Sequence, residues 1–321
     1  MTVRYVKRAF PSLREVVQVK NGDSMKQILI LIWIGFLFSQ AETDTVNKIP
    51  IFDFSKNLNL PGIIPKNLTM ANQFVLFPHE IEAVKQKAKD YIPKPVSEDD
   101  IVIMETNRGT MKLKLFPDVA PKHCLNFKKL ANSGFYDKTA FHRIIPGFMI
   151  QGGDINSRDN DSKNDGHGGP GWTVEAEFSD IPHKRGILSM ARSSNPNSAG
   201  SQFFICVADA PHLDGQYTIF GEVIEKVHVV DHIVKTPSEY DQAKRMSKEN
   251  IPEGEDQEDW ITLRDPKTQL QLYSKIPKYR KKTEYEYEMR KKIKSNKPSL
   301  PLTIEKIRVI NKSDLENEKT K

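Results

Sequence analysis

Arg143 stands in an otherwise apolar run, FHRIIPGFMIQGG (Phe141–Gly153), that also carries Gln151. A cation in an apolar strand is costly unless something holds it or uses it. Pro146-Gly147 is a turn signal between two short strand-like runs. Within the second run, Met149 and Gln151 are two apart and share one face of a strand. A hairpin that sets Arg143 and Gln151 beside Phe148 and Met149 makes a pocket half polar and half apolar. Such a pocket suits a ligand with an apolar ring next to an amide.

The elements that must carry this hairpin are mostly strands. Ile101–Thr106 and Thr110–Phe116 flank the turn Asn107-Arg108-Gly109, with Met111, Leu113 and Leu115 alternating against Lys112 and Lys114. Further strands are predicted at Thr139–Ile145, Phe148–Gln151, Gly186–Ala191, Gln202–Val207, Thr218–Ile224 and Leu302–Ile310. Pro121–Ser133 reads as a helix stopped by Gly134, a residue that tolerates the left-handed conformation of a helix end. A second helix is predicted near Val227–Val234. Many short strands with two helices suggest a closed barrel capped at its ends.

Two segments lie outside this pattern. In the N-terminal extension, residues 42–98, Ile81, Val84, Ala88 and Tyr91/Ile92 recur at helical spacing over Pro78–Ile92, and Pro93 stops the run. Its apolar stripe is expected to pack on the main domain. Thr236–Ser299 holds an acidic loop (Glu253–Asp259), a basic cluster (Lys278–Lys282) and a helix-like run (Thr283–Lys294) whose charges agree with the helix dipole. It reads as an insertion before the last strand rather than an independent domain. Its helix is either a solvated charged face or a docking surface.

FHRIIPGFMIQGG, then GILSMAR (Gly186–Arg192), AGSQFFI (Ala199–Ile205) and LDGQYTIFG (Leu213–Gly221), with PKHCLNFKKL (Pro121–Leu130) ahead of them, resembles the cyclophilin family of peptidyl-prolyl isomerases. The resemblance covers Asp99 to Val234 and a last strand near 302–310. It implies a mainly β fold: a closed eight-stranded antiparallel β-barrel capped by two α-helices, here with an N-terminal extension and an insertion (236–299) inside a 99–311 domain. It also implies rotation about Xaa-Pro bonds in unfolded or flexible polypeptides, without a cofactor.

By the same resemblance Arg143 donates to the proline nitrogen as the amide twists, and Gln151 orients it. Phe148, Met149 and Phe204 seat the proline ring, with Leu213 closing one wall. The backbone at Ala191 and Arg192 holds the preceding residue, and Gln202 and His142 line the groove. His212 stands where familiar eukaryotic members carry a tryptophan, and Tyr217 where they carry a histidine. Tyrosine keeps a hydrogen-bonding tip on an aromatic body, so activity is expected to survive, while binding of cyclosporin is expected to be weak. Both substitutions resemble bacterial members. The alternative is a catalytically weak proline-peptide binding module, or a holding chaperone, on the same fold.

Composition bounds the rest. Hydrophobic residues at 38% and charged residues at 28% suit a soluble protein with one good core and polar appendages. The formal net charge of +6 is not gathered into a nucleic-acid-binding motif, so no nucleic-acid partner is expected. Met25-Lys26-Gln27, an apolar run Ile28–Phe38 and Ser39-Gln40-Ala41 read as a secretory signal peptide (25–41), too short for a membrane span. An uncut signal anchor is the other reading. Residues 1–24 are then an upstream overrun or a long basic n-region, and 312–321 a charged tail. An exported protein, periplasmic or secreted, with no stable membrane span after cleavage, is the expectation.

Cys124 and Cys206 fall in a helical and a strand pattern respectively, which favours two separately buried thiols over a disulfide. No metal site is expected. Asp154–Asp165 lacks the spacing, central glycine and closing glutamate of a calcium loop, and the histidines do not fall at ligand spacings. No Ser–His–Asp arrangement can be assembled from the sequence.

Overall fold

In the computed structural model, residues 75–159 and 161–314 are described. The signal-peptide segment 25–41, the upstream residues 1–24, and parts of the extension and tail lie outside them. The strand pattern is realised as an eight-stranded antiparallel sheet. Its strands are β1 (Asp100–Thr106), β2 (Gly109–Leu115), β3 (Arg143–Ile145), β4 (Met149–Gly152), β5 (Ile187–Met190), β6 (Phe203–Cys206), β7 (Ile219–Glu225) and β11 (Ile304–Asn311). Their order is β11-β1-β2-β7-β5-β6-β4-β3. The turn before β2 needs Gly109, whose φ is +131° and where an added Cβ would sit 3.0 Å from Val229.

The sheet curls until its edges approach, but β3 and β11 do not form a continuous ladder. The residues before β3 and around the start of β11 make the link. Phe141 N–H donates to the Leu302 carbonyl at 2.9 Å, and Ile304 N–H to the Thr139 carbonyl at 2.8 Å. Residues 139–142, predicted as strand, are therefore a bridge segment and not part of β3.

Helix α1 (Pro78–Asp90) sends Ile81 and Ala88 into the main core, as its stripe predicts, and ends before Ile92, which is 89% exposed. Helix α2 (Pro121–Ser133) terminates on Gly134 at φ +84° and buries Cys124, Phe127 and Leu130. Phe127, Tyr136, Phe203 and Phe220 pack in tilted and edge-to-face pairs, ring centroids 5.3–5.6 Å apart, at the centre of that core. Each such buried side chain contributes roughly 1.5–3 kcal/mol. Lys128 on α2 is buried as well, a cost offset because its ammonium pairs with Asp100 and donates to the Pro95 carbonyl. Helix α3 (His228–Val234) adds Val229, Val230 and Ile233. Both cysteines are free and buried, and desolvation pushes each thiol up to about 12.

The segment before β11 is richer than its sequence suggested. It forms helix α4 (Glu239–Arg245), a three-stranded sheet in the order β8-β10-β9 (Ser247–Lys248, Gln271–Lys275, Trp260–Arg264) and helix α5 (Lys282–Lys292). These elements share a second core of Tyr240, Ile261, Leu263, Leu272, Tyr285 and Met289. Even so, the described residues fall within one compact unit, Pro65–Lys321. No helix among the described residues is long and apolar enough to cross a membrane.

Candidate active site

The strand registers bring the predicted residues together. Arg143 pairs with Gln151 across β3 and β4, Gln151 with Phe204 across β4 and β6, and Phe204 with Ser189 across β6 and β5. Residues directly opposite one another point to the same side of a sheet, so these four form one row. Ile144, Ile150, Ile205 and Leu188 form the adjacent row on the other face and fill the core. Met149, two before Gln151, joins the functional row's face.

Above that face lies a groove of about 590 Å³, lined by Arg143, Phe148, Met149, Gln151, Phe204 and Leu213, with His142, Ala191, Arg192 and Tyr217 at its sides. Met149, Phe204 and Leu213 belong to a buried apolar cluster against which Phe148, Ala191 and Tyr217 pack. Gln202 lines an adjoining groove of about 520 Å³ that shares Gln151, Ala191 and Arg192 with the first. His212 lies outside both linings and packs on the Phe148 ring, centroids 5.2 Å apart. The Tyr217 ring meets Phe204 edge-on at 5.9 Å, and the Arg192 guanidinium sits 4.5 Å from its centroid. Arg192 also donates to the Gln216, Ser193 and Ser194 carbonyls, so it clamps the groove's rim.

Arg143 is held by a chain of amides. Gln202 Nε2 donates to the carbonyls of Gly166 and Gly168, both at 2.9 Å. Two acceptors at that end fix which way the amide points, so Gln202 Oε1 must face Gln151 and accepts from its Nε2 at 3.0 Å. Gln151 Oε1 is thereby turned to Arg143 and accepts from Nη1 at 3.1 Å. The guanidinium reaches solvent, yet the surrounding walls strip enough water to lower its pKa. It remains charged.

In the loop 154–165, three of the carboxylates turn onto groups near them in the chain. Asp154 accepts from the Asn156 and Gly166 N–H groups, Asp159 from Asp161 N–H and Asn164 Nδ2, and Asp161 from Lys163 N–H. The carboxylates fold the loop on itself and so bring Gly166 and His167 to the groove. His142, beneath them, is buried, and neither ring nitrogen finds a hydrogen-bond partner among the described residues. Burial lowers its pKa against the opposing pull of Asp154 and Asp165.

One cluster escaped the sequence reading. His183 Nδ1 lies 2.9 Å from Asp214 Oδ1, and its Nε2 lies 3.1 Å from Ser189 Oγ. That is the geometry of a hydrolytic triad, but Ser189 is 0% exposed and its hydroxyl also reaches the Thr218 carbonyl at 2.9 Å. No substrate can reach that hydroxyl. The cluster instead supports Phe204, whose ring stacks on His183 at 6.1 Å. Spacings of six and thirty-one residues gave no local signal of it. The groove wall contributed by Glu239, Lys291 and Ser295–Lys297 was likewise unforeseen, because a short polar stretch has no periodicity to read.

A curled antiparallel sheet, one face of which sets an arginine beside an apolar seat, is the frame of this site. The chain belongs to the cyclophilin family, the cyclophilin-type peptidyl-prolyl cis-trans isomerases. The model of that family, "Cyclophilin type peptidyl-prolyl cis-trans isomerase/CLD", matches residues 101–252. A probable peptidyl-prolyl cis-trans isomerase of Brucella suis is 47% identical over 142 residues, covering 43% of this chain and 72% of that one. The Arabidopsis thaliana isomerase CYP18-1 is 49% identical over 140 residues, covering 42% and 82%. A crystal structure of a Cryptosporidium parvum cyclophilin-type isomerase, solved in the presence of the dipeptide Ala-Pro, is 30% identical with a TM-score of 0.45. The match covers 66% of this chain and 99% of that one.

Proposed function

We propose that this isomerase acts on Xaa-Pro bonds in unfolded or flexible segments of exported proteins, with Arg143 as the catalytic cation. The observation that carries the reading is the amide-held guanidinium beside the seat of Phe148, Met149, Phe204 and Leu213. Amide resonance sets a barrier of roughly 18–20 kcal/mol. In the planar amide the proline nitrogen has no free lone pair. As the bond twists, the lone pair localises and accepts from Arg143, an interaction absent in the ground state and so able to lower the barrier.

A charge-assisted hydrogen bond of this kind is worth roughly 1.5–3 kcal/mol. The remainder falls to the apolar seat, which grips the proline ring and excludes water from the twisting amide. Gln151 and Gln202 position Arg143. The backbone at Ala191 and Arg192 holds the preceding residue, and Tyr217 and His142 bound the seat. His212, packed on Phe148 in place of an indole, makes cyclosporin a weak ligand.

Support for export is the charge and apolar patterning of Met25–Ala41. Expression of the whole chain with a C-terminal tag in a secreting cell tests both parts. The expected product is released, begins at Glu42 and exchanges an Ala-Pro peptide. Retention of uncut chain in the cell refutes export. Released protein that binds the peptide without exchanging it refutes turnover and leaves the binding-module reading.

A further inference from the structure

Most of the groove's wall beside β3 is built from beyond the segment the family model matches, Glu239 excepted. Lys291 and Ser295–Lys297 lie beyond residue 252, yet line the same groove as Arg143. The strap 295–297 is fixed at both flanks. The Asn296 carbonyl accepts from Ile144 N–H, next to Arg143, at 2.9 Å, and the Lys297 carbonyl accepts from Glu239 N–H at 2.8 Å. The Ser295 carbonyl accepts from Tyr240 N–H at 3.2 Å, and Lys297 Nζ pairs with Asp165 on the opposite loop. Met289 on α5 and Ile293 at its C-cap are buried in the second core. Lys291 lies two residues from each, on the opposite side of the helix, and so faces the groove.

The charges on this wall are unequal in their commitments. Lys297 and Asp165 neutralise each other, Arg192 is occupied by carbonyls, and Arg143 is held by Gln151. Lys291 has no acid or carbonyl partner among the described residues, and it is exposed. Among the described residues, Glu239 is the one lining carboxylate without a cation of its own, and it stands at the α4 end of the strap. Counting all the lining groups of fixed charge, Arg143, Arg192, Lys291 and Lys297 face Asp165 and Glu239, so the field in the groove favours an anion.

The position of the wall says which part of a substrate meets it. If Ala191 and Arg192, at the end of β5, hold the residue before the proline, the residues after it leave across β4 toward β3. The strap and α5 stand there. We propose that Lys291 is a specificity-determining residue, selecting Xaa-Pro segments that carry an acidic side chain after the proline, with Glu239 opposing it. This rests on the isomerase reading above and assigns the inserted segment a share in substrate choice.

The test uses the full chain and three peptides: Ala-Ala-Pro-Ala-Glu-Ala, Ala-Ala-Pro-Ala-Lys-Ala and Glu-Ala-Ala-Pro-Ala-Ala. Exchange NMR gives kcat/KM for each. A solvent-facing ion pair is worth a few tenths to about 1 kcal/mol, so the Glu-after over Lys-after ratio should be about two- to fivefold. Lys291→Glu should invert that ratio and Glu239→Gln should raise it, two variants moving in opposite directions. Lys278→Glu, in the same segment but outside the groove lining, should leave it alone. A ratio near one in the intact chain overturns the proposal. So does an equal response to Lys278→Glu, or a preference for glutamate before the proline over glutamate after it. Should no peptide exchange, the isomerase reading fails on its own. The ratio of dissociation constants from chemical-shift titration then decides the subsite by the same criteria, and absence of binding overturns it.

Discussion

Replacing Arg143 with alanine separates the chemistry from the scaffold. Among the described residues the guanidinium makes no ion pair, and its one side-chain partner is Gln151, 3.1 Å away. Removing it strands no buried charge, so the stability cost should be within about 0.5 kcal/mol, as for a surface substitution away from caps and core. The transition-state loss is different. A charge-assisted bond of roughly 1.5–3 kcal/mol, at 1.36 kcal/mol per tenfold in rate, predicts a fall of about 10- to 150-fold in kcat/KM. The partly desolvated setting argues for the upper part of that range, because screening by water is weakest there. Arg143→Lys keeps the charge but loses the planar fork that meets Gln151, and should fall between alanine and the intact protein. Exchange spectroscopy on an Ala-Pro peptide, beside a thermal melt, reads both quantities. An alanine variant that melts normally and retains activity to within about threefold, a deficit of only about 0.6 kcal/mol, refutes the assignment of the catalytic cation.

Two further outcomes follow from the same geometry. Gln202→Leu removes the group that fixes both amide orientations, so kcat should fall about 5- to 30-fold, the equivalent of about 1–2 kcal/mol, with KM moving less. Restoration by Gln202→Asn, or an unchanged kcat, argues against positioning through the amide chain. The protein should also lose stability on mild acidification. His123, His142 and His183 have their pKa lowered, chiefly by burial, so the unfolded chain binds protons that the folded one refuses. Their contribution is therefore complete above the ordinary histidine value of about 6.5 and shrinks as pH falls below it. Urea midpoints should drop between pH 7.5 and 5.0, and a midpoint unchanged over that interval contradicts the argument.

Much of the fold was legible because it rests on local patterns. The β1–β2 hairpin follows from alternation plus Gly109, and α2 begins on Pro121 and stops at Gly134 as its sequence requires. The groove's floor was legible for a similar reason. Arg143, Phe148, Met149 and Gln151 lie within one short hairpin, where period-two geometry suffices to place them. The three-stranded sheet and α4 were not legible. Trp260–Arg264 and Gln271–Lys275 are five-residue strands with charged or polar ends, too short for a periodic signal. The His183–Ser189–Asp214 cluster and the strap at 295–297 depend on contacts between distant segments, which no window of sequence contains. The joining of the sheet's edges through 139–141 and 302–304, in place of a ladder, is a tertiary outcome of the same kind.

The pairing of β1 with β11 joins Asp100 to Asn311, the two ends of the domain. On a ribosome, β1 and β2 emerge early, but the strand that covers β1's outer edge comes some 200 residues later, after the entire inserted segment. At about 5–20 residues per second that is a wait of roughly 10–40 s. Throughout it β1 presents a row of unpaired amides to any neighbouring chain. The inserted segment thus lengthens the interval in which the nascent domain is open to edge-to-edge association. A chain interrupted before Ile304 keeps that edge permanently, which makes the last strand the step that closes the edge of β1.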